Sequence, residues 1–344
     1  MIIKYKKSIL SSKTRLSYRK KILRKFKRNH KYCNENNIKN ISKNPYAKRK
    51  IKKIILKENI KLFENIKYIN TIIEDIGIAK NNFDNISIDH RKLKNIDNSA
   101  ILYLTACISL LNNDKKMIKK SKISPPKDID IRLSEIGYWD VLCYNPPKYD
   151  KNIDFLKIKE LKEIDKMQDN GFHADIINFF FKEHKIDEKY KDSLFDAIFE
   201  AFANVVEHAF YKDEDNINKK AWFLGAYYNN KLEFIFYDVG MGLFKSWDMG
   251  KNKISKILSR FARIFGIDNA FRKVCSEKLS KYKDKTRGNG LIAFKKFIEE
   301  ISKQYESYLE ISTENKLYLS NNDKIKTLND KIKGTFIRWV IKGI

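Results

Sequence analysis

Cysteine is scarce and scattered in this 344-residue chain: Cys33, Cys107, Cys143 and Cys275 form no C-x-x-C pair, and no histidine stands at metal-ligand spacing from them. That pattern disfavours both a disulfide scaffold and a zinc site, and a reducing cytoplasm is the expectation. No run approaches the roughly 18 uncharged apolar residues that a membrane helix needs. The N-terminal apolar stretches are broken by Lys every few residues, unlike a secretory signal. A location in the cytoplasm, with no membrane span, is therefore expected. Glycine is sparse as well, 12 residues where average usage gives about 24, so any clustering of glycines is informative. Acids are in deficit, 43 Asp+Glu against 71 Lys+Arg, which leaves +28.

What is abundant excludes a chain disordered throughout: 42% of residues are apolar, and there are 22 Phe and 18 Tyr. The length suggests two domains with material for a buried core. The positive charge is uneven. Residues 1–57 hold 21 Lys+Arg and one acid, Glu35, a net of +20 that leaves +8 for the rest. In Tyr18–Arg28, Ile22, Leu23 and Phe26 make one helical stripe and basic groups fill the remaining circumference. Such a surface attracts polyphosphate chains by counterion release, and Tyr18, Phe26 and Tyr32 could stack on bases. RNA or DNA is one reading of this basic arm. A solubilising tail, or an arm that docks on an acidic protein or membrane surface, is the other.

From about residue 58 the composition becomes globular. Asn85–Asp89 reads as a strand, Asn98–Leu111 as a helix, Ile129–Leu133 as a second strand and Ser134–Tyr138 as the start of a short helix, which together predict a small α/β domain over 58–148. Residues 149–186 read as a connector with two helical patterns and a strand at Phe155–Ile158. A long helix is expected from about Asp187 to Phe210, with Phe195, Ile198, Phe199, Phe202, Val205 and Val206 on its apolar side. Ala221–Tyr228 and Leu232–Tyr237 read as a hairpin across Asn229-Asn230. A basic helical stretch over 251–285, a helix after Gly290, and strands at Tyr308–Ser312, Leu317–Leu319 and Thr335–Ile341 complete the chain. The fold class is α/β, with strands largely antiparallel.

Four places carry chemistry. Glu200, Asn204 and His208 recur at i, i+4 and i+8 and share one helical face. Asn offers a carbonyl oxygen to Mg²⁺, and Glu can orient or deprotonate an attacking water; a solvent-facing stripe explains the same line without function. Asp238-Val239-Gly240-Met241-Gly242 follows a strand, where a carboxylate can accept from an exocyclic amine and glycines let backbone approach a planar ring. Arg287-Gly288-Asn289-Gly290-Leu291 opens a helix, whose exposed amides at the positive end of the dipole suit phosphate. Gly334-Thr335 begins the last strand and brings a hydroxyl toward the same polar edge as Asp238. Five of the 12 glycines fall in the last three places.

Their order and settings resemble the Bergerat nucleotide fold of the GHKL superfamily, which includes gyrase B, Hsp-type chaperones, histidine kinases and MutL. Glu200-x-x-x-Asn204 resembles its N box, Asp238-x-Gly240-x-Gly242 its adenine-reading box, Gly288-x-Gly290-Leu291 its phosphate-contacting box, and Thr335 the threonine after its late glycine. The resemblance covers 187–344, slightly under half the chain. It implies an α/β sandwich, a mostly antiparallel sheet with helices on one face, that binds ATP with Mg²⁺. Asn204 would ligate the metal, Asp238 would read the adenine amine, Gly288, Gly290 and neighbouring amides would hold phosphates, and 243–287 would form the lid. Arg287 is a phosphate contact inferred from its charge. Within the superfamily, Glu200–Phe210 looks most like the anti-sigma-factor serine kinases, E-A-x-x-N-x-x-x-H-A/G-Y, with His208 in place and Phe210 for the usual Tyr.

Those kinases act on STAS-domain proteins, and Ile96-Asp97-Asn98-Ser99-Ala100-Ile101 resembles the STAS D-S-S-G-L turn. It departs from that turn at Asn98 and Ala100. Ser99 is thus either a phosphate acceptor or an ordinary helix N-cap. No helix with the usual H-E phosphoacceptor pair precedes the ATPase region, which disfavours a sensor histidine kinase. The leading expectation is an ATP-dependent molecular switch with Glu200 as the catalytic residue. It acts through a protein partner or a homodimer. One alternative is a serine kinase acting on a STAS partner or on Ser99. The other is a nucleic-acid effector gated by ATP, of mobile-element or phage-defence type.

Overall fold

The computed structural model describes residues 50–112, 118–145, 155–161, 172–208, 220–249, 253–276 and 290–344. The chain divides into two units, Met1–Arg49 and Lys50–Ile344, and every described residue lies in the second. Among the described residues helix accounts for 49% and strand for 31%, a mixed α/β composition. Tyr18, Phe26 and Tyr32 of the basic arm lie outside the described residues.

The expected arm stops short of residue 57. Ile51–Ile55 forms strand β1, with Ile54 and then Leu56 buried; a run rich in β-branched Ile suits a pleated, half-buried surface. There follow β2 (Asn59–Ile60), α1 (Leu62–Asn82), β3 (Asn85–Asp89), β4 (Asn95–Ile96), α2 (Asn98–Leu111) and β5 (Ile118–Lys120). Strands β1, β3 and β5 make a parallel sheet in that order, and β2 pairs with β4, also parallel. Helix α1 buries Ile66, Ile69, Ile72 and Ile76 along one stripe. Asn98–Ile108 of α2 is buried on all sides, as expected of a helix apolar around its whole circumference.

The strand expected at Ile129–Leu133 is instead helix α3 (Lys127–Ile136). Pro126 is its N-cap, Asp128 and Asp130 sit in its first turn, and Ile129, Leu133 and Ile136 are buried at helical spacing. Gly137, at φ +87°, ends it. The short helix expected to start at Ser134 is therefore the last turn of α3, followed by a 3₁₀ turn at Tyr138–Leu142.

The remainder builds a five-stranded sheet. Its elements are β6 (Phe155–Leu161), α4 (Phe172–Ile177), α5 (Lys191–His208), β7 (Ala221–Tyr228), β8 (Lys231–Asp238), α6 (Leu243–Met249), α7 (Lys253–Phe265), α8 (Ile267–Ser276), α9 (Gly290–Ile301), β9 (Glu306–Leu319) and β10 (Lys324–Lys342). The order is β6-β7-β8-β10-β9, every neighbouring pair antiparallel. Edge strand β6 comes from the segment read as a connector. Asn229 and Asn230, at φ +52° and +55°, form the two-residue turn between β7 and β8, the conformation a type I′ hairpin needs. Tyr308–Ser312 and Leu317–Leu319 are parts of one strand, β9.

The helices of 187–344 pack on one face of this sheet, and the N-terminal helices cover the other. Phe223, Phe234, Phe236 and Trp339 share a core with Phe202 and Val205 of α5 and Phe294 and Phe297 of α9. On the opposite face Trp222, Leu224, Ile235, Tyr237 and Phe336 share a core with the buried residues of α1 and α2. The continuous apolar runs Ala221–Ala226 and Phe234–Tyr237 are the physical reason, since a strand buried on both faces cannot alternate. The core does not part near residue 148. Phe199, expected on the apolar side of α5, is 62% exposed; one residue past buried Ile198, it turns about 100° outward.

Candidate functional site

Strand β8 ends in Asp238, a carboxylate only 5% exposed. Its Oδ1 accepts from the Gly240 N–H at 2.8 Å, which folds the chain back on itself immediately after the strand. Across the sheet, Thr335 of β10 stands opposite Asp238 and Ala221 of β7 on its other side. Burial pushes the Asp238 carboxyl up to about 6; hydrogen bonds from the Gly240 amide and from the Thr335 side chain and backbone pull the other way.

Gly334 fits this turn because it has no side chain. At φ +84°, a Cβ there would lie 1.9 Å from the Asp238 carbonyl oxygen and 3.0 Å from the Gly240 nitrogen. Gly242, at φ +82°, is buried beside it, with room for a Cβ only 2.9 Å from Thr313 Oγ1 and 3.3 Å from the Gly334 oxygen. The fold thus brings Asp238, Gly240, Gly242 and Thr335 together. It adds Thr313, buried on β9 and opposite Thr335. Thr313 was missed because its role depends on strand register, which nothing local encodes.

The irregular stretch of β10 before Gly334 is held from the N-terminal helices. Asn70 of α1 donates to Asp330 Oδ2 at 2.9 Å and to the Lys331 carbonyl at 2.8 Å, and its own oxygen accepts from Tyr103 of α2 at 3.0 Å. Tyr237 donates to the Lys333 carbonyl at 2.8 Å.

Glu200 and Asn204 are half-buried on α5. Counting about 100° per residue, they lie together on one side of the arc made by Ala197, Ile198, Ala201, Phe202 and Val205. The helix runs toward the Asp238 end of the sheet. Tyr190, just before it, bonds Gln304 at the opposite end, while the chain beyond it re-enters the sheet at Ala221 beside Asp238. Phe202 packs edge-on against Phe236, two residues before Asp238. Helix α9 has the reverse polarity. It leads into β9, whose first residue Glu306 pairs with Lys342, and its Phe294 packs on Trp339. Its N-terminal Gly290 is therefore directed at the Asp238 end too, with Leu291 half-buried against the shared core. Arg287, Gly288 and Asn289 lie outside the described residues, as does the His208 side chain.

Helices α6, α7 and α8 occupy the described part of 243–287. They bury Phe244, Trp247, Leu258, Phe271 and Val274 in the core shared with α5, and expose Lys256, Arg260 and Arg263.

Ser99 is not the N-cap of α2. Asp97 is, and its carboxylate also accepts from the first amide of α1, Leu62. Ser99 is fully buried and its Oγ has no partner among the described residues. His90 is buried against Tyr138 at 3.0 Å, and desolvation pushes it down to about 3, so it is neutral. Among the described residues no group of three His, Cys, Asp or Glu side chains could hold a metal ion, and no helix is long and apolar enough to cross a membrane. Compared with known proteins, the chain matches no family model and no curated protein.

Proposed function

We propose that the Asp238 end of the sheet is an adenine-nucleotide site of the GHKL type, and that the protein is an ATP-dependent molecular switch. The observation that carries this reading is the buried Asp238 carboxylate, braced by Gly240 and Thr335 and backed by Gly334, at the sheet end toward which helix α5 runs and from which α9 starts. A desolvated acceptor beside backbone with no side chains in the way suits an exocyclic amine on a flat ring. The α9 N-terminus suits phosphate, with Arg287, Gly288 and Asn289 as further contacts in this reading. Mg²⁺ bound with the nucleotide would neutralise its phosphates, and the Asn204 carbonyl oxygen would be its protein ligand. Glu200 orients the attacking water, and His208 borders the same stripe. The lid begins at Leu243, and its helices carry nucleotide state to a partner or a second copy.

Calorimetry of the folded protein with ATP and Mg²⁺ tests the reading, and no heat of binding defeats it. Asp238→Asn should lower adenine-nucleotide affinity by about tenfold to a hundredfold, the worth of a hydrogen bond to a charged group. Glu200→Ala should keep the affinity and lose about 10²-fold or more in turnover. If phosphate appears on protein, read as a mass shift, the acceptor is a serine and the kinase reading replaces hydrolysis. Since Ser99 is sealed in the core, a partner's serine is then the first candidate.

Asp238 also sets a pH dependence. The ionised carboxylate is the stronger acceptor for the amine, so adenosine, which carries no titrating phosphate, should lose affinity as pH falls below about 6. The sign for stability is opposite. Because the folded carboxyl holds its proton up to about 6 and the unfolded one only to about 3.8, stability falls as pH rises through that window and is level above it. Titration calorimetry with adenosine from pH 5 to pH 8 checks the first part; a flat profile removes Asp238 from recognition.

A further inference from the structure

Thr313 sits where three separate pieces of chain meet. It is fully buried on β9. Its Oγ1 accepts from the Leu243 N–H at 2.9 Å and donates to the Gly334 carbonyl at 3.1 Å. A hydroxyl has a single proton, so an amide on one side and a carbonyl on the other fix the direction of both bonds. Leu243 is the first residue of α6, and the first amides of a helix have no partner within it. Gly242 supplies the carbonyl for the first helical bond, from Ser246 at 3.1 Å. A Cβ on Gly242 would lie 2.9 Å from this hydroxyl, which is therefore wedged against the turn with no space for a side chain between them. One side chain thus ties the beginning of α6 to the glycine that backs Asp238.

We propose that Thr313 is a positioning residue: it fixes where the lid departs from the purine pocket, so that closure over phosphates starts from a set geometry. This rests on the nucleotide reading above. The role differs from general support of the pocket, because the bond to Leu243 belongs to the lid and the bond to Gly334 to the pocket. Losing the first should penalise ligands that need the lid more than a ligand that needs the pocket alone.

Thr313→Val keeps the shape and deletes the hydroxyl; Thr313→Ser restores it. With full-length protein, adenosine and a non-hydrolysable ATP analogue with Mg²⁺ are titrated by calorimetry, and exchange of the Leu243 amide is followed without ligand. In Thr313→Val, Leu243 should exchange about tenfold faster or more, and analogue affinity should fall about tenfold or more further than adenosine affinity, which loses only the support of the bond to Gly334. Thr313→Ser should return all three toward wild type. Should Thr313→Val not fold, Leu243→Pro removes the same amide at a position where proline is well tolerated, and the same split between ligands is expected. Equal losses for both ligands, or unchanged exchange at Leu243, overturns the proposal. Wild-type protein that binds neither ligand defeats the nucleotide reading itself, and the exchange at Leu243 still reports whether Thr313 holds the start of α6.

Discussion

Gly334→Ala should abolish adenosine binding and destabilise the protein by about 2–5 kcal/mol. Two costs add. The first is conformational: at φ +84° an L-residue with a Cβ pays about 1–2 kcal/mol. The second is steric. The added methyl would meet the Asp238 oxygen at 1.9 Å, its carbonyl carbon at 2.8 Å and the Gly240 nitrogen at 3.0 Å, all backbone atoms that cannot rotate away. Overpacking of this kind costs about 1–3 kcal/mol more. Relief requires β8 and β10 to part at the Asp238–Thr335 pair, which displaces the carboxylate. Gly266 provides the control. It too has positive φ, +86°, but no atom within 4 Å of the Cβ position. Gly266→Ala should therefore show the conformational cost alone, about 1–2 kcal/mol, with adenosine affinity unchanged. Urea unfolding and adenosine calorimetry on both variants separate the terms. Equal destabilisation with binding retained in Gly334→Ala means that the glycine serves only its own backbone angle.

The parts of this fold legible in the sequence are those set by local chemistry. Asn229-Asn230 marks its hairpin because two residues with φ above zero are needed there and Asn tolerates them. The glycines at 242 and 334 stand out in a glycine-poor chain because the turns around Asp238 leave no room for a side chain at either. The Ile129–Leu133 run was misread because a short apolar segment has no decisive period; Pro126 before it and Gly137 after it bound a helix. What depends on register could not be read at all. Nothing near Thr313 says that it faces Thr335, that β9 is one strand where Tyr308–Ser312 and Leu317–Leu319 were expected as two, or that β10 begins at Lys324 and not at Thr335. The docking of α1 and α2 on the second face was equally hidden. Tyr237 and Trp222 announce that some apolar layer must cover them, but not which one.

Arg338→Ala should be among the costliest substitutions on that second face, at about 3–5 kcal/mol. Arg338 on β10 donates to Glu310 of β9 at 2.8 Å and to Glu233 of β8 at 2.6 Å; the three side chains are 14%, 11% and 7% exposed. Glu233 also accepts from Asn98 at the start of α2 at 2.9 Å. Asn98 in turn accepts from Arg132 of α3, which donates to the Ile96 carbonyl at 2.8 Å. The chain of bonds runs from the edge strand β9 through the sheet into the N-terminal helices. Burial works against the Arg338 charge, and the two carboxylates more than offset it. Removing the guanidinium leaves two desolvated carboxylates near each other, which is why the cost exceeds that of an exposed pair, about 0–1 kcal/mol. The network's net worth is a separate quantity. Replacing all three charges at once, Arg338→Met with Glu233→Gln and Glu310→Gln, strands no charge and keeps an oxygen to accept from Asn98. That triple variant should recover most of the stability lost in Arg338→Ala, since a buried ionic cluster and neutral side chains of similar size are often near parity. Urea midpoints for the single and triple variants test the argument. A single-variant cost below about 1 kcal/mol would mean that water reaches the cluster and that α2 is held on the sheet by its apolar contacts alone.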